Sequence, residues 1–124
     1  MFEAAKAPVS TLCFVDEVLR GTNTVERIAA SREVLAGLAN SGRTICFAAT
    51  HDIELTYLLE EHCDNYHFEE RVTEHQVEFD YLLHEGRATS RNAIKLLRML
   101  GYPAEVIERA EGSAEHFLKT GEWK

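Results

Sequence analysis

Residues 11–17 read Thr-Leu-Cys-Phe-Val-Asp-Glu, an apolar run of strand length that ends in two adjacent carboxylates. A run this apolar is typical of a strand buried on both faces, as in a parallel sheet. Charges are costly inside such a sheet, so we expect Asp16 and Glu17 at its carboxyl end. Ligands of open α/β sheets bind at that edge. The alternative is a plain strand that runs into an acidic turn.

A second apolar run occupies residues 44–50 and has the same character. Between the two runs, Asn23 followed three residues later by a glutamate fits a capping box, which predicts that a helix begins near Thr24. The sequence Asn-Ser-Gly at 40–42 would end that helix. Strand, helix and strand joined by short turns predict a parallel pair with a right-handed crossover. The second strand would then bring the polar triplet Thr50-His51-Asp52 to the edge that carries the carboxylates.

The remainder of the chain predicts a hairpin. Residues 65–72 and 76–84 are expected to form two antiparallel strands around a turn at 73–75. In the second strand, apolar and mostly polar residues alternate, which indicates that one face of the hairpin is solvated. The apolar members of this alternation are Val77, Phe79, Tyr81 and Leu83.

Three further helices are predicted. A short one covers about 53–61. A second covers about 91–100 with Ser90 as its N-cap, because serine is a favoured residue there. Pro103 suits the first turn of the last helix. The apolar residues expected to face inward from the second of these helices are Ile94, Leu97 and Leu100.

The composition is that of an ordinary soluble globular protein. The 124 residues are 45% hydrophobic and 27% charged, enough for one domain with a modest core. A net charge of −8 argues against a nucleic-acid surface on this segment, because phosphate contacts need clustered Lys and Arg. No run of about 18 apolar residues and no signal-peptide pattern occurs, so we expect no membrane contact and a cytoplasmic location. The cysteines, predicted to be reduced and buried, are Cys13, Cys46 and Cys63.

The two carboxylates suit phosphate chemistry. One carboxylate at such an edge can hold a hydrated Mg²⁺, and the next can orient or deprotonate a water, as in the Walker B arrangement of P-loop NTPases. A lone histidine after a strand more often caps a helix or faces solvent, but beside the carboxylate pair we interpret His51 as part of the site. Arg87 and Arg91 flank a glycine turn and could meet a phosphate, although solvated surface arginines are the simpler interpretation. The six histidines show no spacing typical of a zinc site.

Three segments carry a resemblance to a known family. Residues 12–31 (LCFVDEVLRGTNTVERIAAS) resemble the Walker B strand and following loop of the MutS family of DNA mismatch-repair ATPases. Residues 47–56 (FAATHDIELT) resemble that family's histidine-switch segment, and residues 82–110 resemble its C-terminal hairpin and helices. The resemblance implies an α/β fold, the C-terminal (Walker B) half of an ABC-like P-loop NTPase domain, with residues 1–124 forming a single partial domain.

The resemblance also implies a role for each site residue. Asp16 would hold the Mg²⁺ of bound ATP, Glu17 would orient or activate the attacking water, and His51 would sense the γ-phosphate. Phosphoryl transfer needs a metal, a positioned water and neutralised charge, which these residue types can partly supply. The loop that lies near the nucleotide across the interface with a second subunit corresponds to Arg20, Gly21, Thr22, Asn23 and Thr24.

Two positions depart from the family pattern. Leu19 stands where the usual Gly-Arg-Gly-Thr loop has its first glycine. The sequence Ser-Arg-Asn-Ala-Ile at 90–94 replaces the usual Ser-Tyr-Gly-Ile. Both differences indicate a side branch of the family rather than its mismatch-recognising form.

The phosphate-binding motif Gly-x-x-x-x-Gly-Lys-[Ser/Thr] does not occur in the 124 residues. That motif supplies the backbone nest and the lysine for the phosphates, and in the MutS family it precedes Walker B. We therefore expect this chain to be the C-terminal half of an ATPase domain that alone binds ATP weakly or not at all. In the intact protein, ATP would lie between two subunits of a homodimer, and DNA would bind to other parts. The uncovered flank of the sheet predicts self-association.

A second hypothesis comes from another functional class. The chain could be a free-standing dimerisation or interaction module that has lost ATPase activity. It would then dock through its hairpin and its last helices.

Overall fold

The computed structural model describes residues 9–89 and 92–124. The chain divides into two compact units. Unit 1 holds the amino-terminal part of the chain up to Tyr66 together with residues 85–87. Unit 2 holds residues 67–84 and the chain from Ala88 onward.

Unit 1 is built on the predicted strand–helix–strand order. Strand β1 (Thr11–Asp16) leads to helix α1 (Thr24–Ala39), strand β2 (Thr44–Ala49) and the short helix α2 (Ile53–Leu58). The two strands are parallel, and their register pairs Cα positions from Thr11 with Thr44 through to Asp16 with Ala49. The prediction of a parallel pair is therefore confirmed, and both polar strand ends lie at the same edge.

Helix α1 begins where its cap predicts. The Asn23 side chain accepts hydrogen bonds from the backbone N–H groups of Val25 at 3.0 Å and Glu26 at 3.4 Å. These N–H groups have no partner within a helix, so the asparagine satisfies them and fixes the helix start at Thr24. The expected end near Asn40 is also observed.

The core of unit 1 lies between its helices and one face of the sheet. Leu35 of α1 packs with Leu55 and Leu59, which lie in and just after α2, and each is at most 5% exposed. Leu38 is fully buried. Burying side chains of this size contributes about 1.5–3 kcal/mol each. The partly buried residues packed around the three leucines are Val18, Ile28, Ala36, Cys46 and Cys63.

The expectation that β1 is buried on both faces is wrong. Every second residue of β1 is exposed, with Leu12 at 59% and Phe14 at 73%. On β2, Ile45 is 64% and Phe47 58% exposed. The rings of Phe14 and Phe47 stack on each other with centroids 5.5 Å apart. Within the described residues, the helices of unit 1 cover only the opposite face, which is why the outer face remains in solvent.

The cysteines were predicted to be reduced and buried. All three are free thiols with intermediate exposure, so the first part is confirmed and full burial is not. Cys13 and Cys46 are register partners on the two strands. Burial, and to a smaller extent the neighbouring Cys13, raises the pKa of the Cys46 thiol to about 11. A thiol with so high a pKa is a poor nucleophile at neutral pH.

The predicted hairpin is interrupted. It forms four short strands: β3 (Tyr66–His67), β4 (Glu70–Val72), β5 (Val77–Phe79) and β6 (His84–Glu85). β4 and β5 are antiparallel, and β3 pairs with β6. The predicted turn is present, because the Thr73 N–H donates to the Gln76 carbonyl at 2.9 Å. The second long strand breaks at Tyr81, whose φ of +57° is incompatible with an extended strand.

The alternation in the second hairpin strand predicted that only one face is solvated, and the structure exposes most of the apolar residues as well. Val77 is half-buried, but Phe79, Tyr81 and Leu83 are each more than half exposed. Alternation continues to place residues on a common face only while the strand stays extended. The break after Phe79 removes that condition.

Two helices complete unit 2: α3 (Ala93–Met99) and α4 (Ala104–Thr120). Ile107 of α4 is buried at 6% exposure. Leu100 follows the end of α3 and is 66% exposed, so its predicted inward position is wrong. The predicted cap Ser90 and its neighbour Arg91 lie outside the described residues. No helix in the described ranges combines the length and hydropathy that a membrane crossing requires.

Candidate functional site

Asp16 is the last residue of β1 and presents its carboxylate to solvent. Its side chain is 81% exposed, and the Oδ2 atom lies 3.5 Å from Nη2 of Arg20. An exposed ion pair at this distance is weak. The carboxylate oxygens therefore remain accessible, and hard oxygen ligands of this kind are those that Mg²⁺ prefers.

Glu17 is held at the same edge by bonds across the sheet. Its N–H donates to the carbonyl of Ala49 at 3.0 Å, and its side chain is only 17% exposed. One carboxylate oxygen accepts from the backbone N–H of His51 at 3.0 Å, and the other lies 3.5 Å from the hydroxyl of Thr50. The end of β2 therefore orients this carboxylate.

The backbone of Glu17 takes a conformation that is rare for its residue type. Its φ is +56°, in the left-handed region that glycine occupies more readily. A side chain there costs about 1–2 kcal/mol. Such conformations cluster at functional sites, and here the two adjacent carboxylates differ in exposure, at 81% for Asp16 and 17% for Glu17.

His51 contributes in two ways. Its backbone N–H holds Glu17, while its imidazole is fully exposed. The Nε2 atom lies 3.9 Å from Oε1 of Glu17. The predicted grouping of Asp16, Glu17 and His51 at one sheet edge is therefore present in unit 1. An exposed imidazole beside an oriented carboxylate can meet a polar ligand that arrives from solvent.

The loop between β1 and α1 lies beside this edge. The four predicted site residues in this loop and the first residue of α1 are all exposed, and Gly21 has a φ of +69° that suits a tight turn. The side chain of Asn23 is occupied as the cap of α1. The five residues are Arg20, Gly21, Thr22, Asn23 and Thr24.

An ion pair that the sequence did not predict joins helix α1 to the turn after β2. Nε of Arg27 donates to Oδ2 of Asp52 at 2.9 Å, and a second guanidinium nitrogen bonds the other carboxylate oxygen. The side chains are 21% and 13% exposed. The bonds to Arg27 hold the pKa of Asp52 below its usual value, and the pKa of Arg27 is raised in turn. The only signal in the sequence was Asp52 directly after His51, at the end of a parallel strand.

The same region contains a chain of bonds that fixes the end of β2. The N–H of Asp52 donates to the Thr50 hydroxyl at 3.0 Å. Thr50 in turn lies against Glu17. Thr50 therefore links two contacts: it bonds Asp52, which pairs with Arg27 of α1, and it lies against Glu17 at the end of β1. The turn after β2 is thus attached both to α1 and to β1.

Arg87 is neither a solvated surface arginine nor placed at the carboxylate edge. Its guanidinium donates to the Thr56 carbonyl at 3.2 Å and lies 3.1 Å from Oε2 of Glu60. It also lies over the ring of Tyr57 at 4.1 Å, a cation–π contact. The side chain is 24% exposed and serves to hold helix α2 within unit 1.

The order of these elements and the residues at their ends agree with a known family. A family model described as MutS domain V matches residues 3–118. The chain belongs to the MutS family. The matched range includes Asp16, Glu17, the following loop and His51.

Two relatives support the assignment to the MutS family. The DNA mismatch repair protein MutS of Aquifex pyrophilus is 35% identical over 103 residues, and that of Natronomonas pharaonis is 34% identical over 103 residues. Each alignment covers 82% of this chain but 12% of the relative. The chain therefore spans about an eighth of the length of the curated MutS proteins that it matches.

Proposed function

We propose that this chain forms the metal- and water-positioning part of the ATP site in a MutS-type ATPase. The single observation that carries the proposal is the junction of Glu17 with His51 at the carboxyl edge of two parallel strands. Phosphoryl transfer depends on positioned groups of fixed charge. A carboxylate that is held by the neighbouring strand meets that requirement.

Each residue takes a distinct part in this proposal. Asp16, with accessible hard oxygens, would hold Mg²⁺, which when bound neutralises charge on the phosphates. Glu17 would hold the attacking water and accept its proton. His51 would place its exposed imidazole against the terminal phosphate. The exposed loop from Arg20 to Thr24 would face the nucleotide of a second subunit.

The proposal includes the wider setting of this site. The nucleotide-binding P-loop would come from chain that is not among these 124 residues, which puts the chain in the Walker B half of an ABC-like P-loop domain. By analogy with the DNA mismatch repair proteins that it resembles, the whole protein would couple ATP hydrolysis to DNA repair or recombination. The net charge of −8 places any DNA contact on other parts.

A chimera tests the proposal directly. This chain would replace the matched 103-residue segment of the Aquifex pyrophilus MutS protein, and ATP binding and hydrolysis would be measured separately. We expect the chimera to hydrolyse ATP, and Glu17→Gln to lower hydrolysis at least about a hundredfold while ATP binding is kept. Glu26→Gln, at an exposed position in the first turn of α1, is the matched control. Wild-type turnover by the Glu17→Gln chimera would contradict the role of Glu17.

A second candidate function is an interaction module, which the exposed apolar face of the β1–β2 sheet favours. An antibody raised to this chain and used to blot a lysate of the source cells separates the two. A band much larger than 14.1 kDa supports the ATPase. A band at that mass supports the module.

A further inference from the structure

A second group of metal-ligating side chains lies in unit 2. One carboxylate oxygen each of Glu69 and Asp80 and a ring nitrogen of His84 all lie within 4.8 Å of one another. From this geometry we propose that Glu69, Asp80 and His84 form a binding site for a divalent transition-metal ion, of which Zn²⁺ is the best match.

The hairpin brings these residues together. In the β4–β5 ladder, Glu70 pairs with Phe79, so Glu69 and Asp80 occupy the next paired positions at its open end. Tyr81, with its positive φ, turns the chain out of the strand. The chain then returns at His84, the first residue of β6. Residues separated by up to 15 positions thus converge, which explains why a search for short ligand spacings missed them.

The distances suit an ion of the size of Zn²⁺. Ligands at about 2.0–2.2 Å from a tetrahedral zinc lie about 3.3–3.6 Å apart. Nε2 of His84 is 2.6 Å from Oδ2 of Asp80, and the remaining distances are at most 4.8 Å. All three side chains are at least 33% exposed, so small rotations about their side-chain bonds can bring the donors to the required separation.

The surrounding contacts leave a donor atom available on each carboxylate. Oδ1 of Asp80 accepts the backbone N–H of Leu82 at 2.9 Å, which leaves Oδ2 directed at His84. Glu69 keeps one oxygen 2.9 Å from Nε2 of His67, and its other oxygen can bind an ion.

His67 supports the site without being one of its three ligands. It is only 13% exposed, and its ring stacks on that of His84 with centroids 5.5 Å apart. Its bond to Glu69 is of the kind that orients a metal-binding carboxylate in characterised sites.

The donor set selects among ions. An imidazole is a good ligand for Zn²⁺ and other transition metals, whereas Mg²⁺ and Ca²⁺ prefer oxygen ligands alone. With three protein ligands, water would complete the coordination. A bound ion would link Glu69, which precedes β4, and Asp80, which follows β5, to His84 at the start of β6. It would thereby stabilise the open end of the hairpin.

Zn²⁺ binding to the full chain tests the site. Competition with a chromophoric chelator is expected to show one Zn²⁺ ion bound per chain. The midpoint temperature of thermal unfolding should rise when Zn²⁺ is added but not when Mg²⁺ is added. His84→Gln and Asp80→Asn should each weaken binding by at least about tenfold. The matched controls His75→Gln and Glu78→Gln lie on the same hairpin outside the cluster and should bind as the wild type does.

Two outcomes would overturn the proposal. One is Zn²⁺ affinity that is the same in His84→Gln, Asp80→Asn and the controls. The other is a thiolate-to-metal charge-transfer band on Co²⁺ substitution, which would place the ion on the cysteines of unit 1. If a variant fails to fold by circular dichroism, Glu69→Gln on the exposed side of the cluster replaces it.

Discussion

The Glu17 carboxylate accepts a hydrogen bond from the backbone N–H of His51 at 3.0 Å, so the end of β1 is tied to the end of β2. This bond joins residues 34 positions apart in the chain. It places a carboxylate and an exposed imidazole side by side, and the orientation of both depends on one parallel register.

The strained backbone at Glu17 makes a prediction about stability. Both Glu17→Ala and Glu17→Gly remove the contacts to Thr50 and His51, but only glycine relieves the positive φ. We expect the free energy of unfolding of the glycine variant, measured by urea titration, to exceed that of the alanine variant by about 1 kcal/mol. Equal stabilities, or a more stable alanine variant, would show that the φ of +56° is not a source of strain.

The Arg27–Asp52 pair predicts a pH dependence. The pKa of Asp52 in the folded protein lies below its value of 3.8 in the unfolded chain, so the pair stabilises the fold above about pH 4. That contribution is lost as the pH falls through the folded-state pKa. We expect the difference in unfolding midpoint between wild type and Asp52→Asn to narrow as the pH is lowered from about 6 to about 2.

The control for this experiment is a pair at the surface. Glu33→Gln removes the ion pair between Arg32 and Glu33. The side chain of Arg32 is 43% exposed and that of Glu33 is 71% exposed. Exposed pairs contribute little, so the difference for this variant should stay small at every pH. A difference for Asp52→Asn that is independent of pH would refute the assigned role of the ion pair.

The exposed face of the β1–β2 sheet predicts self-association. Phe14 and Phe47 form a stacked apolar patch, flanked on the same strands by exposed Leu12 and Ile45. Patches of this kind mark interaction sites or cause association. Size-exclusion chromatography with light scattering should show an apparent mass that rises with protein concentration. The substitution Phe14→Asp should make this rise smaller. Leu118→Asp, at a 59% exposed position on α4, is the control for loss of one apolar side chain. A monomer at all concentrations would rule the prediction out.

The elements of unit 1 could be predicted because their signals are local. Asn23 caps α1 through bonds to residues two and three positions away, and the apolar runs of β1 and β2 are continuous in the chain. Such features depend on neighbours in the sequence, so pattern and spacing suffice. The parallel pairing then followed from the short connections, and with it the shared edge of Asp16 and His51.

Burial and side-chain pairing could not be predicted in the same way. The apolar run of β1 predicted two covered faces, yet Phe14 is 73% exposed, because apolarity in the chain does not specify which elements pack on a strand. The alternation at 77–83 was interrupted by Tyr81, whose left-handed φ has no signal in its residue type.

The sequence by itself determined the strand–helix–strand order of unit 1, the cap of α1 and the resemblance to the MutS family, since each rests on residues close together in the chain. Only the tertiary structure decided that Arg27 reaches Asp52, that Glu17 is held by His51, and that Glu69, Asp80 and His84 converge. These relationships join residues 25, 34 and 15 positions apart at their widest. They exist only once the register of the strands has brought distant backbone segments together.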